Sequence, residues 1–425
     1  MIEHLTFKLG EIATFVNGRA YSMPEMLKAG KYRIIRVGNF TGKDEWYYSD
    51  MELEPEKYCE NGDLLYKWAC TFGPEIWTEE KAIYHYHIWK VIPNSRYVDK
   101  DYLYYLLKQM TEQFLKAAHG STMIHITKEI MESNVVNIPK DVSVQHQIAM
   151  ILKTIDCKIS NNNAICADLE GMAKLLYDYW FVQFDFPDEN GEPYKSSGGK
   201  MVWNEELKRE IPEGWKVQAT TKYLKPIRGI SYSADDLLGE GISMLNLNSF
   251  NEDGTYKASG IKCFSGEVPE ERTLAPNDLI MCVTQQTDID LSGKKNVIGK
   301  ALLVPSLDED VMTMSMDVVK LVAENKSLLA FFKYLFGLRY AHKYVVGYAN
   351  GTKIKHLDID GALSLPVAMP PKESTLIEEF SDRAIAINEA ISNTITENKK
   401  LADLRDFLLP MLMNGQVKVG KETAS

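Results

Sequence analysis

The sequence predicts an α+β fold: two similar domains, each a curved β-sheet plus helices, separated by two long antiparallel coiled-coil helices in a pseudo-two-fold arrangement. Three observations predict it. The chain is written twice, Val16-Asn17-Gly18-Arg19-Ala20-Tyr21-Ser22 returning as Ile227-Arg228-Gly229-Ile230-Ser231-Tyr232-Ser233. Later landmarks recur in the same order: Glu60-Asn61-Gly62-Asp63-Leu64-Leu65 as Ala275-Pro276-Asn277-Asp278-Leu279-Ile280, then His119-Gly120-Ser121 as Asn350-Gly351-Thr352. The offset between copies drifts along the chain, as loop insertions in two copies of one domain produce and a short-period solenoid does not. Between landmarks the texture is short β-branched and aromatic runs broken by Gly, Asn and Pro, which is sheet texture. Each copy then closes on a long stretch of helical periodicity.

The elements follow in order. The first domain covers 1–144, with strand-like runs at Tyr32–Val37 and Ile83–Val91. A helix is expected from Asp99 to about Ala118, since Tyr102, Leu103, Leu106, Leu107, Met110 and Phe114 fall at helical spacing. The first long helix spans 145–184. Ile148, Ile155, Asn162, Leu169 and Leu176 recur every seven residues, with Ile151, Ile165, Met172 and Tyr179 in the intermediate position, a heptad seam. Residues 185–211, rich in Pro, Gly and Ser, read as a connector. The second domain, 212–370, repeats the plan from Trp215, with its helix at Ser327 to about Tyr344. The second long helix, 371–413, carries Ile377, Phe380, Ala384, Ile387, Ile391, Thr394, Asn398, Leu401 and Leu408 on the same spacing, and 414–425 form a tail. A seam of this length needs a long partner, and each helix is the other's candidate. The first leads out of domain one and the second must run back, so the pair is expected to be antiparallel. About 35 residues span on the order of 50 Å, which would hold the two domains at opposite ends of a spacer.

Composition narrows the function classes. With 45% apolar and 25% charged residues over 425 positions, the chain has enough apolar content for two ordinary cores. No run approaches the length of a membrane span, and Met1-Ile2-Glu3-His4 lacks the basic and apolar regions of a signal peptide, so a cytoplasmic protein is expected. Six scattered cysteines without a Cys-x-x-Cys pair suggest buried thiols and not a zinc cage. No catalytic set holds. Gly293-Lys294-Lys295-Asn296-Val297-Ile298-Gly299-Lys300-Ala301 has the wrong glycine spacing for a phosphate loop and Ala301 where a magnesium ligand is needed. Asp63 with Glu79-Glu80-Lys81 loosely resembles a metal-dependent nuclease, but Asp278 lacks matching partners; the histidines are dispersed and read as structural or surface residues. No metal site is expected.

What recurs instead is polar chemistry suited to base edges and phosphates. The net charge of −11 argues against wholesale coating of nucleic acid, yet residues 19–43 concentrate Arg19, Lys28, Lys31, Arg33, Arg36 and Lys43 against the single acid Glu25. Arg36 and Asn39 are aligned with Asn246 and Asn248, and Lys67, Trp68 and Thr71 with Thr284, Gln285 and Gln286. Arg can donate two hydrogen bonds to guanine, and Asn or Gln can pair bidentately with adenine. The turns at Gly120-Ser121 and Gly351-Thr352, followed by Lys128 and by Lys353 and Lys355, are candidate phosphate holders, with Arg228 and Lys294 adding cations to the second copy.

These motifs resemble those of the specificity subunits of type I restriction-modification systems, and the resemblance covers nearly the whole chain. It is carried by Gly198-Gly199-Lys200-Met201-Val202 with Ile211-Pro212-Glu213-Gly214-Trp215, by Asn61-Gly62-Asp63-Leu64-Leu65, and by Asn350-Gly351-Thr352-Lys353-Ile354. The loop Gln285-Gln286-Thr287-Asp288 departs from the basic, glycine-containing turn frequent in that family. The resemblance implies two target-recognition domains that each read half of a bipartite site on double-stranded DNA, with helices setting the gap. It also implies two modification subunits supplying adenine methylation with S-adenosylmethionine, and restriction subunits adding ATP- and Mg-dependent translocation and cleavage. The chain itself would then be non-catalytic and hold no cofactor. A free-standing coiled-coil scaffold with two protein-binding domains is the alternative, distinguished by whether the chain confers sequence-selective DNA binding.

Overall fold

The computed structural model describes residues 3–41, 45–117, 126–237, 240–286, 297–307 and 311–417. Two compact units divide the chain: Met1–Ser160 with Lys400–Ser425, and Asn161–Lys399. The first unit runs β1 (His4–Lys8), α1 (Leu9–Ile12), β2 (Ala13–Asn17), β3 (Tyr32–Ile35), β4 (Tyr47–Ser49), β5 (Tyr58–Cys59), β6 (Leu64–Lys67), β7 (Gly73–Ile76), β8 (Ala82–Tyr84) and β9 (Ile88–Pro93). It continues with α2 (Lys100–Ala117), α3 (Lys128–Ser133), β10 (Val135–Pro139) and the N-terminal part of α4 (Val142–Tyr177). Its sheets are ordered β2-β9-β6-β7 and β4-β3-β8-β5, with β1 paired to β10. β6 is buried along its whole length, and Tyr102, Leu103, Leu106 and Leu107 of α2 pack in the same core as Phe15, Leu64, Tyr66 and Trp89.

The second unit follows α4 with a π-helical turn at Asp178–Val182. Its elements are β11 (Met201–Asn204), β12 (Arg209–Pro212), β13 (Lys216–Ala219), β14 (Lys225–Arg228), β15 (Ile242–Leu245), β16 (Lys262–Phe264), β17 (Thr273–Leu274), β18 (Leu279–Cys282), β19 (Thr284–Gln286), β20 (Ala301–Leu303), β21 (Met312–Met314) and β22 (Val318–Val322). Then come α5 (Ser327–Gly337), α6 (Arg339–Val346), β23 (Ala349–Asn350), β24 (Ile354–Leu357), α7 (Ile359–Ala362), β25 (Pro366–Met369) and α8 (Leu376–Met413), whose last part belongs to the first unit. The sheets β14-β22-β18-β20 and β16-β15-β21-β17, with β13 paired to β25, repeat the first unit's order strand for strand. Even the one parallel pair of each second sheet matches, β3 with β8 and β15 with β21. A further sheet, β19-β24-β23, appears in this unit.

The repeated motifs have physical reasons. A Cβ on Gly18 would lie 2.4 Å from the His85 carbonyl oxygen, and one on Gly229 would lie 2.0 Å from that of Ser315, so only glycine lets the strands cross there. Asp63 and Asp278 each close their turn on a backbone N–H, at Glu60 and Ala275, and each pairs at 2.7 Å with a lysine of the adjacent strand, Lys90 and Lys320. The turn needs a left-handed residue before the aspartate, supplied by Gly62 (φ 90°) and Asn277 (φ 67°).

The helices pair antiparallel within each unit. In the second, the Asn162 side-chain amide donates to Asn398 Oδ1 (2.8 Å) and Glu397 (2.7 Å), while Tyr177, further along α4, packs on Phe380 near the start of α8. In the first, Arg405 pairs with Asp156 (2.8 Å), and Ile148, Ala149 and Leu152 share the core with Leu409, Leu412 and Met413. Among the described residues no helix is long and apolar enough to cross a membrane.

Several expectations are corrected. Ile83–Val91 is two strands with a tight turn between them, and the helix expected from Ser327 breaks at Leu338, whose backbone is extended (φ −68°, ψ 140°). The connector is built into the second unit: β11 and β12 form a hairpin, and Phe186 stacks on Trp215 at 5.5 Å. Of the two heptad rows, Ile148, Ile155 and Asn162 of the first are buried and Leu169 and Leu176 half-buried, but Ile151, Ile165 and Met172, with Tyr179 in the π-helical turn beyond α4, are exposed. One helical partner covers one stripe only. Cys59 and Cys282 are buried thiols, whereas Cys70, Cys157 and Cys263 are exposed.

Candidate nucleic-acid interface

In the first unit three segments converge: the turn after β3 (Arg36–Asn39), the turn after β6 (Trp68–Thr71) and the tip between β8 and β9 (His85-Tyr86-His87). Together with Met26 and Glu45, residues of these segments line a cavity of about 450 Å³. Asn39 holds its own turn, Oδ1 accepting the Arg36 N–H (2.8 Å) and Nδ2 donating to the Glu45 carbonyl (3.0 Å). Arg36 lies over the Tyr47 ring at 5.0 Å. Trp68 stacks on Trp89 (5.7 Å), meets His87 edge-on (5.3 Å) and donates its indole N–H to the Tyr86 carbonyl (2.8 Å). Thr71 is exposed at the cavity, and Cys70 is held in the left-handed region (φ 64°). Burial pushes the His85 imidazolium down to about 4, helped by neighbouring His87 and Arg36, and burial also lowers His87. Near neutral pH each ring is uncharged and offers one donor and one acceptor.

Much of the expected basic run is closed by acids. Arg19 pairs with Glu25 (2.7 Å) and lies over Tyr21, Lys31 pairs with Glu52, and Arg33 pairs with Glu79 and lies over Trp46. Of the arginines in this run, Arg36 alone has no carboxylate partner among the described residues. Lys67 is buried and paired with Glu75 (2.6 Å), a structural residue and not a base reader. Lys43, Gly120, Ser121 and Lys294 lie outside the described residues. The nuclease-like pair is also spoken for, Asp63 by Lys90 and Glu79 by Arg33. No group of three or more His, Cys, Asp or Glu is placed to hold a metal among the described residues.

The second unit shifts the expected correspondences. Ile35 and Leu245 occupy the same place, their carbonyls accepting from His85 and Ser315, so Arg36 matches Asn246, Gly38 matches Asn248 and Asn39 matches Ser249. Asn246 is buried, capping its turn at the Asn248 N–H (2.9 Å) and donating to the Gly260 carbonyl (2.6 Å), so it cannot reach a base; Asn248 is exposed. Trp68 matches Val283, both donating their N–H to the tip, which sets Lys67 against Cys282 and Thr71 against Gln286. Thr284 is buried and donates to Asp317 (2.6 Å), and Gln285 accepts the Ile298 N–H (3.3 Å). β19 and β24 pair Gln285 with Lys355 and Gln286 with Ile354, bringing two expected loops together. Gly351, Thr352 and exposed Lys353 form the β23–β24 turn, and Arg228 is exposed at the end of β14.

The tip of the second unit, Ser315-Met316-Asp317, stands where the first has His85-Tyr86-His87. Neither tip is evident from residue type alone. The available signal was a polar interruption in the apolar run Ile83–Val91, where a strand of that length had to reverse.

Residues 1–171 match the type I restriction modification DNA specificity domain. The chain is similar to the MjaIX specificity subunit of a type I restriction enzyme of Methanocaldococcus jannaschii, 25% identical over 331 residues, covering 77% of this chain and 71% of that protein. It is also similar to the HindI specificity subunit of Haemophilus influenzae, 23% identical over 414 residues, covering 87% and 89%. A crystal structure of the type I restriction-modification S subunit from M. genitalium shares the fold at TM-score 0.56 and 14% identity, with 97% of this chain and 96% of that one covered.

Proposed function

We propose that this chain is a specificity subunit of a type I restriction-modification system, a non-catalytic DNA-recognition subunit, as its likeness to that family's DNA specificity domain and subunits supports, and that it reads a site split into two unlike halves, one per unit. The observation that carries this reading is the pair of strand-for-strand equivalent folds whose corresponding tips present different chemistry. Equal frames suit two stretches of the same duplex, and unequal tips suit unequal sequences. The paired helices α4 and α8 set the gap between the halves. Arg228, Asn248, Gln286, Lys353 and Lys355 of the second unit and Arg36 and Thr71 of the first are the contact residues this reading retains.

Two modification subunits dock on the helices and methylate adenine with S-adenosylmethionine. Restriction subunits add ATP- and Mg-dependent translocation and cleavage. The outward row of α4 in the second unit, with Ile165, Met172 (60% exposed), Leu175 (70% exposed) and Tyr179, is an apolar stripe suited to a modification-subunit helix. Co-expression with a methyltransferase partner followed by mapping of methylated adenines tests the reading. A split, asymmetric motif is expected. Methylation without any motif, or none in the presence of an intact complex, would leave the scaffold reading in its place.

A further inference from the structure

We propose that His85-Tyr86-His87 with Arg36 is where the first unit selects its bases, that Ser315-Met316-Asp317 is the corresponding place in the second, and that the contrast between them makes the half-sites differ. This rests on the DNA-reading assignment above and names the residues that carry out the selection.

In each unit a constant frame holds a variable tip. Gly18 and Gly229 donate to Ile88 and Val318 at 3.1 and 3.2 Å, and Arg19 and Ile230 donate to Tyr84 and Met314 at 3.1 and 2.8 Å. Tyr86 and Met316 donate back to Arg19 and Ile230 at 3.1 and 2.8 Å, and Trp68 and Val283 donate to His87 and Asp317 at 3.2 and 2.9 Å. Each tip is therefore clamped by the same backbone hydrogen bonds, while none of its three side chains is shared. The middle residue projects in both, Tyr86 at 39% and Met316 at 54% exposure. Packing needs alone would not pair an invariant clamp with complete side-chain replacement.

The chemistry differs in kind. The first tip sits beside the Arg36 guanidinium in one cavity, a planar donor fork that matches the two acceptors of guanine, N7 and O6. The uncharged imidazoles add a donor and an acceptor each for the adjoining pair. In the second unit the position matching Arg36 is the buried Asn246, and Asp317 brings a carboxylate to the tip, partly engaged by Thr284. That carboxylate suits the amino group of cytosine, and Met316 beside it suits a thymine methyl.

The test uses the full chain assembled with its co-expressed methyltransferase and a DNA library with each half randomised in turn. Two variants are compared with wild type: Arg36→Gln, and the triple His85→Ser, Tyr86→Met, His87→Asp. Arg36→Gln is expected to lower the preference for guanine at one position about tenfold to a hundredfold, and the triple variant to change one or two adjacent positions of the same half. The other half stays as in wild type. Unchanged preferences in both variants, or loss of preference in both halves together, would overturn the assignment. If the triple variant fails to assemble, the Arg36→Gln result decides by the same criteria. A wild type that selects no split motif would overturn the DNA-reading assignment itself, which a null result from the variants alone does not.

Discussion

His85 and His87 are held uncharged by burial at a turn that residue type alone marks as ordinary surface. In the unfolded chain each takes a proton near 6.5, whereas folded His85 resists until about 4. The unfolded state therefore binds more protons between these values, and stability falls as pH drops through that window and is undiminished above it. Chemical denaturation between pH 7.5 and 4 should show this decline, and His85→Gln should flatten it. The same residues show why the site was only partly legible. Arg36 and Thr71, expected from chemistry and position, do line the cavity, but Lys67, Asn246 and Thr284 have equally suitable chemistry and are spent inside the fold, on Glu75, on a turn and on Asp317. A side chain's type states what it can bond to, and only packing decides whether it faces inward. The basic run misled for a related reason, since the acids that close it, Glu52 and Glu79, arrive from distant sequence.

At the level of elements, heptad periodicity located both long helices, because apolar spacing follows directly from helical geometry. It could not say which of two apolar rows would be covered. The polar interruption turned out to be more informative than the apolar rows: Asn162 and Asn398 meet each other, and Asn398 also donates to Asn163 (2.9 Å). The buried Asn162 amide has its bonds satisfied in one register only, so it specifies alignment at some cost in stability. A double-mutant cycle with Asn162→Ala and Asn398→Ala should give a coupling of about 1 kcal/mol by denaturant unfolding. Replacing both by Leu should raise the melting temperature, and a fall there would count against a register role. The turn inside Ile83–Val91 was hidden because it contains no Gly or Pro, whereas Gly337 does mark the break of α5 from α6, a signal overridden by the apolar spacing that continues on both sides of it.

For the whole molecule, the duplication was the legible feature, and it proved deeper than the motifs suggested, reaching strand order and backbone hydrogen bonds. Residue-by-residue correspondence was not legible, since insertions slide the alignment between landmarks and only shared hydrogen bonds reset it. If the helices set the gap between half-sites, inserting one helical turn into each, beside Asn162 and Asn398, should lengthen the gap in the methylated motif while leaving both halves intact. Adenine methylation mapping checks this, and an altered half-site would contradict it. A different consequence follows from Leu409, Leu412 and Met413 packing with Leu9, Tyr102 and Ile148. The ribosome makes the second unit in its entirety between the two portions of the first. The nested unit can thus mature while its host is still waiting, and a translation stop before residue 409 would release a chain with a finished interior piece and an exterior one left open for proteases and chaperones to find.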